Sequence, residues 1–140
     1  MTQPTFNVAD LMELVADAVP DRLAVVSGED RLTHRQLDDR ANRVAQHLAG
    51  LGLEAGDRVA IYSWNRSEWI ESLFGCFKAR LIPVNVNYRY VADELRYLLD
   101  NSTSRALIFE RSFVPIVEAV IDDLPELRHL VVLDDGGDED

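Results

Sequence analysis

The chain has 140 residues, of which 47% are hydrophobic and 28% charged, a composition typical of one globular domain. Its net charge of −11 argues against binding to nucleic acid or to anionic membrane surfaces, which attract basic proteins, and no apolar run approaches the roughly 18 residues that span a bilayer. The amino terminus lacks the pattern of a signal peptide, and the single cysteine, Cys76, excludes an internal disulfide, so we expect a reduced, cytoplasmic setting.

The first third of the chain predicts a helix followed by a hairpin. Apolar residues recur at helical spacing between Val8 and Val19, Asn7 can cap this helix, and Pro20 would end it. The stretch "LAVVSGEDRLT" then predicts two short antiparallel strands with a turn near Gly28.

From Thr33 onward the pattern alternates between helices and apolar strands. Thr33 and Gln36 form a capping box, and Gly52 is expected at the left-handed end of the helix that they open. Because near-continuous apolar strands separated by helices are typical of parallel sheets, the sequence predicts an α/β fold, a doubly wound parallel sheet with helices on both faces. The predicted strands are Arg58–Ser63, Leu81–Val86, Arg105–Phe109 and His129–Leu133, and the helices between them open at Asn65 with Glu68, at Val91 and at Phe113, the last running to Leu124.

Polar side chains follow three of these predicted strands. Ligands of open α/β sheets bind outside the carboxyl ends of the strands, so the three loops are expected to converge on one site. For each residue taken alone, helix capping or ring packing is the favoured explanation. The residues are Ser63, Trp64 and Asn65 at the end of the first strand, Asn85, Asn87, Tyr88 and Arg89 at the end of the second, and Glu110 and Arg111 after the third.

The patterns that usually mark a catalytic or metal site are missing. Cys76 lies in an apolar helix and is interpreted as a small buried hydrophobe. His34, His47 and His129 have no metal-ligand spacing, and the glycines of "GLGLEAG" follow a helix instead of opening one, which excludes a phosphate loop there. No catalytic and no metal-binding residue is therefore assigned.

The order of segments carries more information than any single motif. The segment "LTHRQL" and the stretches "GLGLEAGDRVAIYSWNRSEW" and "FKARLIPVNVNYRYVADELRYLLDNS" occur in that order. In register and spacing they resemble the amino-terminal part of AMP-forming acyl-CoA synthetases, the adenylate-forming enzyme superfamily, from about Phe6 to Leu133. Two residues depart from the family pattern: Arg80 stands where glycine is usual, and His34 where tyrosine is common.

The resemblance implies a function that the chain performs only as part of a longer enzyme. Residues 1–133 would be the amino-terminal portion of the AMP-binding domain, within a larger N-terminal domain, and residues 134–140 an acidic loop at a truncation point. The parent would use ATP, Mg²⁺ and coenzyme A to activate a fatty or other bulky apolar acid. The family's phosphate loop, ribose-binding Asp and catalytic Lys would lie beyond Asp140. The chain alone is therefore expected to bind no cofactor, to be inactive and to self-associate.

The resemblance also suggests one ligand contact. In some relatives the loop after the third predicted strand lies near the nucleotide end of coenzyme A, which makes Arg111 the candidate cofactor-binding residue, although a solvent-facing arginine is the favoured alternative.

Two other classes of protein are alternatives for this chain. A stand-alone, non-catalytic α/β interaction module could use the acidic surface to bind a basic partner. A receiver-like signalling domain would need an aspartate after a middle strand, where this chain has "YSWN" or "NVNY", and is therefore disfavoured.

Overall fold

Residues 6–134, the part of the chain that the computed structural model describes, form a four-stranded parallel sheet and a separate two-stranded hairpin, with helices between the strands. The elements in chain order are α1 (Val8–Ala18), β1 (Leu23–Ser27), β2 (Asp30–Thr33), α2 (His34–Gly50), β3 (Arg58–Tyr62), α3 (Ser67–Lys78), β4 (Ile82–Val86), α4 (Ala92–Ser102), β5 (Ala106–Glu110), a 3₁₀ turn (Arg111–Phe113), α5 (Val114–Glu118), a second 3₁₀ turn (Ile121–Asp123) and β6 (His129–Leu133).

The parallel sheet has the strand order β4-β3-β5-β6, so β3 and β5 are its central strands. Its first two strands along the chain, β3 and β4, are neighbours. All three pairings are parallel, and Ile61 lies opposite both Asn85 and Ile108. The carboxyl ends of the four strands therefore share one edge of the sheet, as the sequence predicted.

Alternating side chains of the central strands supply two separate cores. Ala60, Tyr62, Leu107 and Phe109 face α4 and α5, where Leu95 and Val117 complete the first core. The intervening residues Val59, Ile61, Ala106 and Ile108 face α2 and α3 and pack with Leu48 and Cys76. Burial on both faces explains the nearly continuous apolar strands and confirms the predicted double layer of helices.

The predicted helix caps are confirmed at two helices. The Asn7 side chain accepts a hydrogen bond from the amide of Ala9, at 2.8 Å, and the Asp10 carboxylate accepts one from the amide of Asn7. That backbone bond, together with the Arg80 guanidinium, holds the pKa of Asp10 below its ordinary value. Thr33 and Gln36 form the expected capping box of α2.

The predicted helix end at Gly52 is also confirmed. Gly52 has a φ of +84°, in the left-handed region that glycine adopts without steric cost.

Two predicted helices differ from the structure. The helix expected to open at Asn65 begins at Ser67, and its N-cap, Arg66, has no side-chain capping bond. The helix expected from Phe113 to Leu124 is divided into the short α5 and two 3₁₀ turns. This segment is rich in β-branched residues and contains Pro115, and both features weaken a regular helix.

Arg80 occupies an unusual backbone position that explains the glycine of the family pattern. Its φ is +61°, and the amides of Arg80 and Leu81 donate to the carbonyls of Phe77 and Cys76, at 3.0 and 2.9 Å, which is the Schellman motif at the end of α3. The Arg80 side chain forms an ion pair with Asp10 of α1 at 3.1 Å. The arginine therefore combines a strained backbone position with a tether to the first helix.

Helix α1 lies on the rest of the fold with its large apolar side chains only partly covered. Val8, Leu11 and Val15 are exposed, and they line a cleft of about 530 Å³ against α2 and α3. Two ion pairs, from Glu13 to Lys78 and from Asp10 to Arg80, attach the helix to the end of α3. None of the helices between residues 6 and 134 is both long and apolar enough to cross a membrane.

Candidate functional site

The loops after β3 and β4 enclose a polar cavity of about 410 Å³ at the carboxyl edge of the sheet. Amide and hydroxyl groups dominate its surface, and one cation, a guanidinium, lies among them. The lining residues are Ser63, Asn65, Asn85, Val86, Asn87, Tyr88 and Arg89. The structure thus brings together the first two groups of polar residues that the sequence predicted to converge.

Asn87 shapes the loop between β4 and α4. Its side-chain oxygen accepts a hydrogen bond from the amide of Arg89 at 3.0 Å, and its carbonyl accepts one from the amide of Tyr90 at 3.0 Å. An asparagine that bonds its own backbone two residues further on stabilises a tight change of direction. Asn87 therefore acts as a structural joint as well as lining the cavity.

Replacing Asn87 by alanine in the full-length protein is expected to lower the free energy of unfolding by about 0.5–2 kcal/mol, because the amide of Arg89 loses its acceptor. The change is measured by thermal unfolding alongside Asn101→Ala, an exposed helical position where alanine is expected to be neutral or slightly stabilising. A large loss of turnover with an unchanged melting temperature would contradict the structural role.

An aromatic cluster joins the two walls of the cavity to the core. The Trp64 ring lies 4.9 Å from Tyr88 and 5.2 Å from Phe113, measured between ring centroids, and Tyr62 stacks on Phe113 at 4.3 Å. The Tyr62 hydroxyl donates to the carbonyl of Tyr90 at 2.6 Å, and burial, reinforced by Glu94, raises the pKa of Tyr62. The walls thus pack on Tyr62 and Phe113, two core side chains that the sequence did not single out as part of the site.

Glu110 forms the most extensive polar network at this edge. Its side chain, at the end of the central strand β5, is completely buried. It accepts hydrogen bonds from the Ser63 hydroxyl at 2.6 Å, from the amide of Trp64 at 3.3 Å, and from Arg66 Nε and Nη2 at 2.8 and 2.7 Å. The carboxyl end of β5 therefore joins the site through this carboxylate.

The sequence identified Glu110 only as one of several polar residues and did not identify Arg66 as its partner. The available signal was a carboxylate that directly follows the apolar run "RALIF". A carboxylate is almost never fully buried unless it is paired, so a glutamate in that position predicts a basic partner.

Arg111, the candidate for a coenzyme A contact, lies apart from the polar cavity. It begins the 3₁₀ turn after β5, and its side chain is exposed at the same edge of the sheet but is not among the residues that line the cavity. The arginine that does line the cavity is Arg89, whose guanidinium carbon lies 5.6 Å from the centre of the Tyr88 ring.

The remaining reactive side chains of the described residues form no second site. Cys76 is buried in the core, and desolvation raises the pKa of its thiol to about 12, so it remains a protonated, apolar group, as predicted. Between residues 6 and 134 no three His, Cys, Asp or Glu side chains are grouped so that they could hold a metal ion.

Sequence comparison connects this architecture to enzymes. Residues 12–140 match the sequence pattern of the family described as AMP-binding enzyme. The chain is 48% identical over 134 residues to a medium/long-chain-fatty-acid–CoA/3-oxocholest-4-en-26-oate–CoA ligase of Mycobacterium tuberculosis. That alignment covers 96% of this chain and 24% of the relative, so the chain spans about a quarter of the relative's length.

Solved structures give the same result. The anthranilate CoA ligase AuaEII, in complex with anthranoyl-AMP, superposes with a TM-score of 0.88 at 30% identity over 94% of this chain and 26% of the ligase. The N-terminal domain of FACL13 from Mycobacterium tuberculosis superposes with a TM-score of 0.87 at 28% identity, over 92% of this chain and 34% of that domain.

Proposed function

Because the chain belongs to the AMP-binding enzyme family, we propose that it is the amino-terminal part of an ATP-dependent ligase that joins a carboxylic acid to coenzyme A. The observation that carries the proposal is the 48% identity to a ligase of this kind over 134 residues. In this proposal residues 1–133 belong to the AMP-binding domain; the acidic loop predicted for residues 134–140 lies, apart from Asp134, outside the residues that the structure describes. The enzyme is proposed to be cytoplasmic.

The proposed reaction has two steps. The carboxylate of the acid attacks the α-phosphate of ATP, which gives an acyl-adenylate and releases pyrophosphate, and the coenzyme A thiol then displaces AMP to form the thioester. A medium- or long-chain fatty acid or a steroid-type acid is the proposed substrate, supported by the name of the relative. Mg²⁺ would neutralise phosphate charge during the first step.

The residues of this chain suit a supporting role better than a catalytic one. No glycine-rich loop opens a helix in the sequence, and the described residues offer no cluster that could hold Mg²⁺. We therefore assign the handling of ATP and Mg²⁺ to the remainder of the enzyme. The chain supplies part of the binding edge, where Arg89 lines the cavity and Arg111 is exposed, so that both can contact an anionic group.

The proposed function is tested by carboxylate-dependent exchange of labelled pyrophosphate into ATP. The full-length protein is expected to catalyse exchange with fatty or steroid-type acids and to release AMP when coenzyme A is added. The 140-residue chain alone is expected to catalyse none, and its open strand edges and exposed apolar residues support self-association in isolation. A full-length protein that is inert toward every acid would favour the non-catalytic interaction module instead.

The proposed contact with coenzyme A is tested by replacing Arg111 with alanine in the full-length enzyme. If Arg111 binds a phosphate, the loss of one charge-assisted hydrogen bond should raise the KM for coenzyme A about 10-fold and leave the KM for ATP unchanged. Arg89→Ala is the matched comparison, because Arg89 is the cation inside the cavity. Equal effects of Arg111→Ala on both substrates, or no effect, would remove Arg111 from the site.

A further inference from the structure

We propose that Glu110 is a positioning residue, whose buried carboxylate holds the loop of residues 63–66 in the shape that the polar cavity needs to bind its ligand. The inference rests on the proposed function, because it takes the ligand at this edge of the sheet to be coenzyme A, whose phosphates would meet Arg89 in the cavity. Glu110 itself is completely buried and is not among the residues that line the cavity, so it acts through Ser63, Trp64 and Arg66.

The bonding pattern of Glu110 fixes the loop in one orientation. Four donors converge on this carboxylate: the Ser63 hydroxyl, the Trp64 amide and Arg66 Nε donate to Oε1, and Arg66 Nη2 donates to Oε2. The two bonds from Arg66 form a parallel fork, which restricts rotation of both side chains. Three of the four residues in the loop are therefore held by a single carboxylate.

The network also links the loop to the neighbouring strands. Arg66 Nη2 donates to the carbonyl of Asp134, just beyond β6, at 3.1 Å, and Arg66 Nη1 lies 3.4 Å from Glu68 Oε2 in the first turn of α3. The carboxyl ends of β3, β5 and β6 are thus tied together through one guanidinium, and any shift of Glu110 would move the loop relative to the sheet.

The loop transmits this constraint directly to the cavity. Ser63 and Asn65 belong to one wall, and the Trp64 ring between them packs on Tyr88, which belongs to the opposite wall. The distance between the walls therefore depends on where Glu110 holds the backbone of Trp64.

Stability alone is an insufficient reason for such a network. Desolvation of a buried ion pair offsets most of its attraction, and replacing both partners by apolar side chains of similar volume is often neutral or stabilising. A completely buried carboxylate that forks with an arginine at the ligand-binding edge is better explained by the geometry that it imposes.

The test uses the double variant Arg66→Met/Glu110→Met of the full-length protein, which removes both charges of the forked pair together. The melting temperature is expected to stay within a few degrees of wild type, whereas the KM for coenzyme A rises about 10-fold and kcat changes less than about twofold. The control is Arg40→Met/Glu71→Met, which removes the ion pair between α2 and α3, at 2.9 Å and away from the cavity, and should change neither kinetic constant.

A second measurement does not depend on activity. In protein labelled with 5-fluorotryptophan, the ¹⁹F resonance of Trp64 is identified as the signal that Trp64→Phe removes. This resonance should shift or broaden in the Arg66/Glu110 double variant and stay unchanged in the Arg40/Glu71 control. If the double variant fails to fold, Glu110→Gln, which keeps the shape of the side chain, takes its place in both measurements.

Each outcome decides the proposal. A folded variant with the wild-type KM for coenzyme A overturns it, and so does an unchanged Trp64 resonance. If the wild-type protein lacks ligase activity, the proposed function fails by itself, and the Trp64 resonance still decides whether Glu110 positions the wall of the cavity.

Discussion

Replacing Glu110 alone by alanine is expected to destabilise the full-length protein by about 3–5 kcal/mol, the largest effect of any single substitution that we predict. The change removes the carboxylate that forks with the mostly buried Arg66 guanidinium and the nearer of two acceptors of the Ser63 hydroxyl, which keeps the Trp64 carbonyl at 3.0 Å. The loss arises because the mostly buried Arg66 guanidinium loses its forked bond and keeps weaker contacts with Glu68 and the Asp134 carbonyl, and not from the net value of the pair, so the single variant should be less stable than the Arg66→Met/Glu110→Met double variant. Thermal and denaturant unfolding of both variants measure the difference.

An exposed ion pair provides the control for this prediction. Asp21 and Arg35 lie 3.2 Å apart, but the Asp21 side chain is 88% exposed, so water compensates when the partner is removed. Asp21→Ala is therefore expected to change stability by less than about 1 kcal/mol. Similar losses for Glu110→Ala and Asp21→Ala would mean that the Glu110 network is open to water.

Replacing Gly75 by alanine is expected to destabilise the protein by about 2 kcal/mol, because α2 lies against α3 at this glycine with no room for a Cβ. An added Cβ would lie 2.6 Å from Val44 Cβ and 3.2 Å from the carbonyl oxygen of Ala41, so the two helices would have to separate. Overpacking of this kind costs about 1–3 kcal/mol or more, which exceeds the gain of about 1 kcal/mol that alanine gives inside a helix.

Gly50→Ala is the matched control, because Gly50 ends the neighbouring helix α2 and an added Cβ there meets no atom within 4 Å. This variant should be more stable than wild type by about 0.5–1 kcal/mol, so the two glycine-to-alanine changes are expected to have opposite signs. A melting temperature that also rises in Gly75→Ala would contradict the close contact between α2 and α3 at Gly75.

In helix α3 the periodic pattern predicted the helix but not the residues that are buried. Apolar residues at helical spacing, such as Trp69, Leu73 and Phe77, correctly predicted a helix, but all three are only partly buried. The residues buried most deeply are small or polar ones, among them Ser72, Gly75 and Cys76, because they face the close contact with α2. Periodicity identifies a helix, whereas the distance to its neighbour decides which of its faces is covered.

The sequence predicted the position of the candidate site but not all of its residues. Strand ends followed by Asn85 and Asn87 indicated the correct edge of the sheet, since parallel strands bring their carboxyl ends together. The pairing of Glu110 with Arg66, 44 residues away in sequence, was not predictable, because single residues carry no sign of their distant partners.

By itself, the sequence determined the α/β class, the parallel sheet, the capped ends of α1 and α2, and the family resemblance, because each depends on local spacing along the chain. Only the tertiary structure decided the strand order β4-β3-β5-β6, the division of the helix after β5 and the burial of Glu110. These features depend on which segments meet in space, and a contact between distant residues is set by the packing of the whole sheet and its helices.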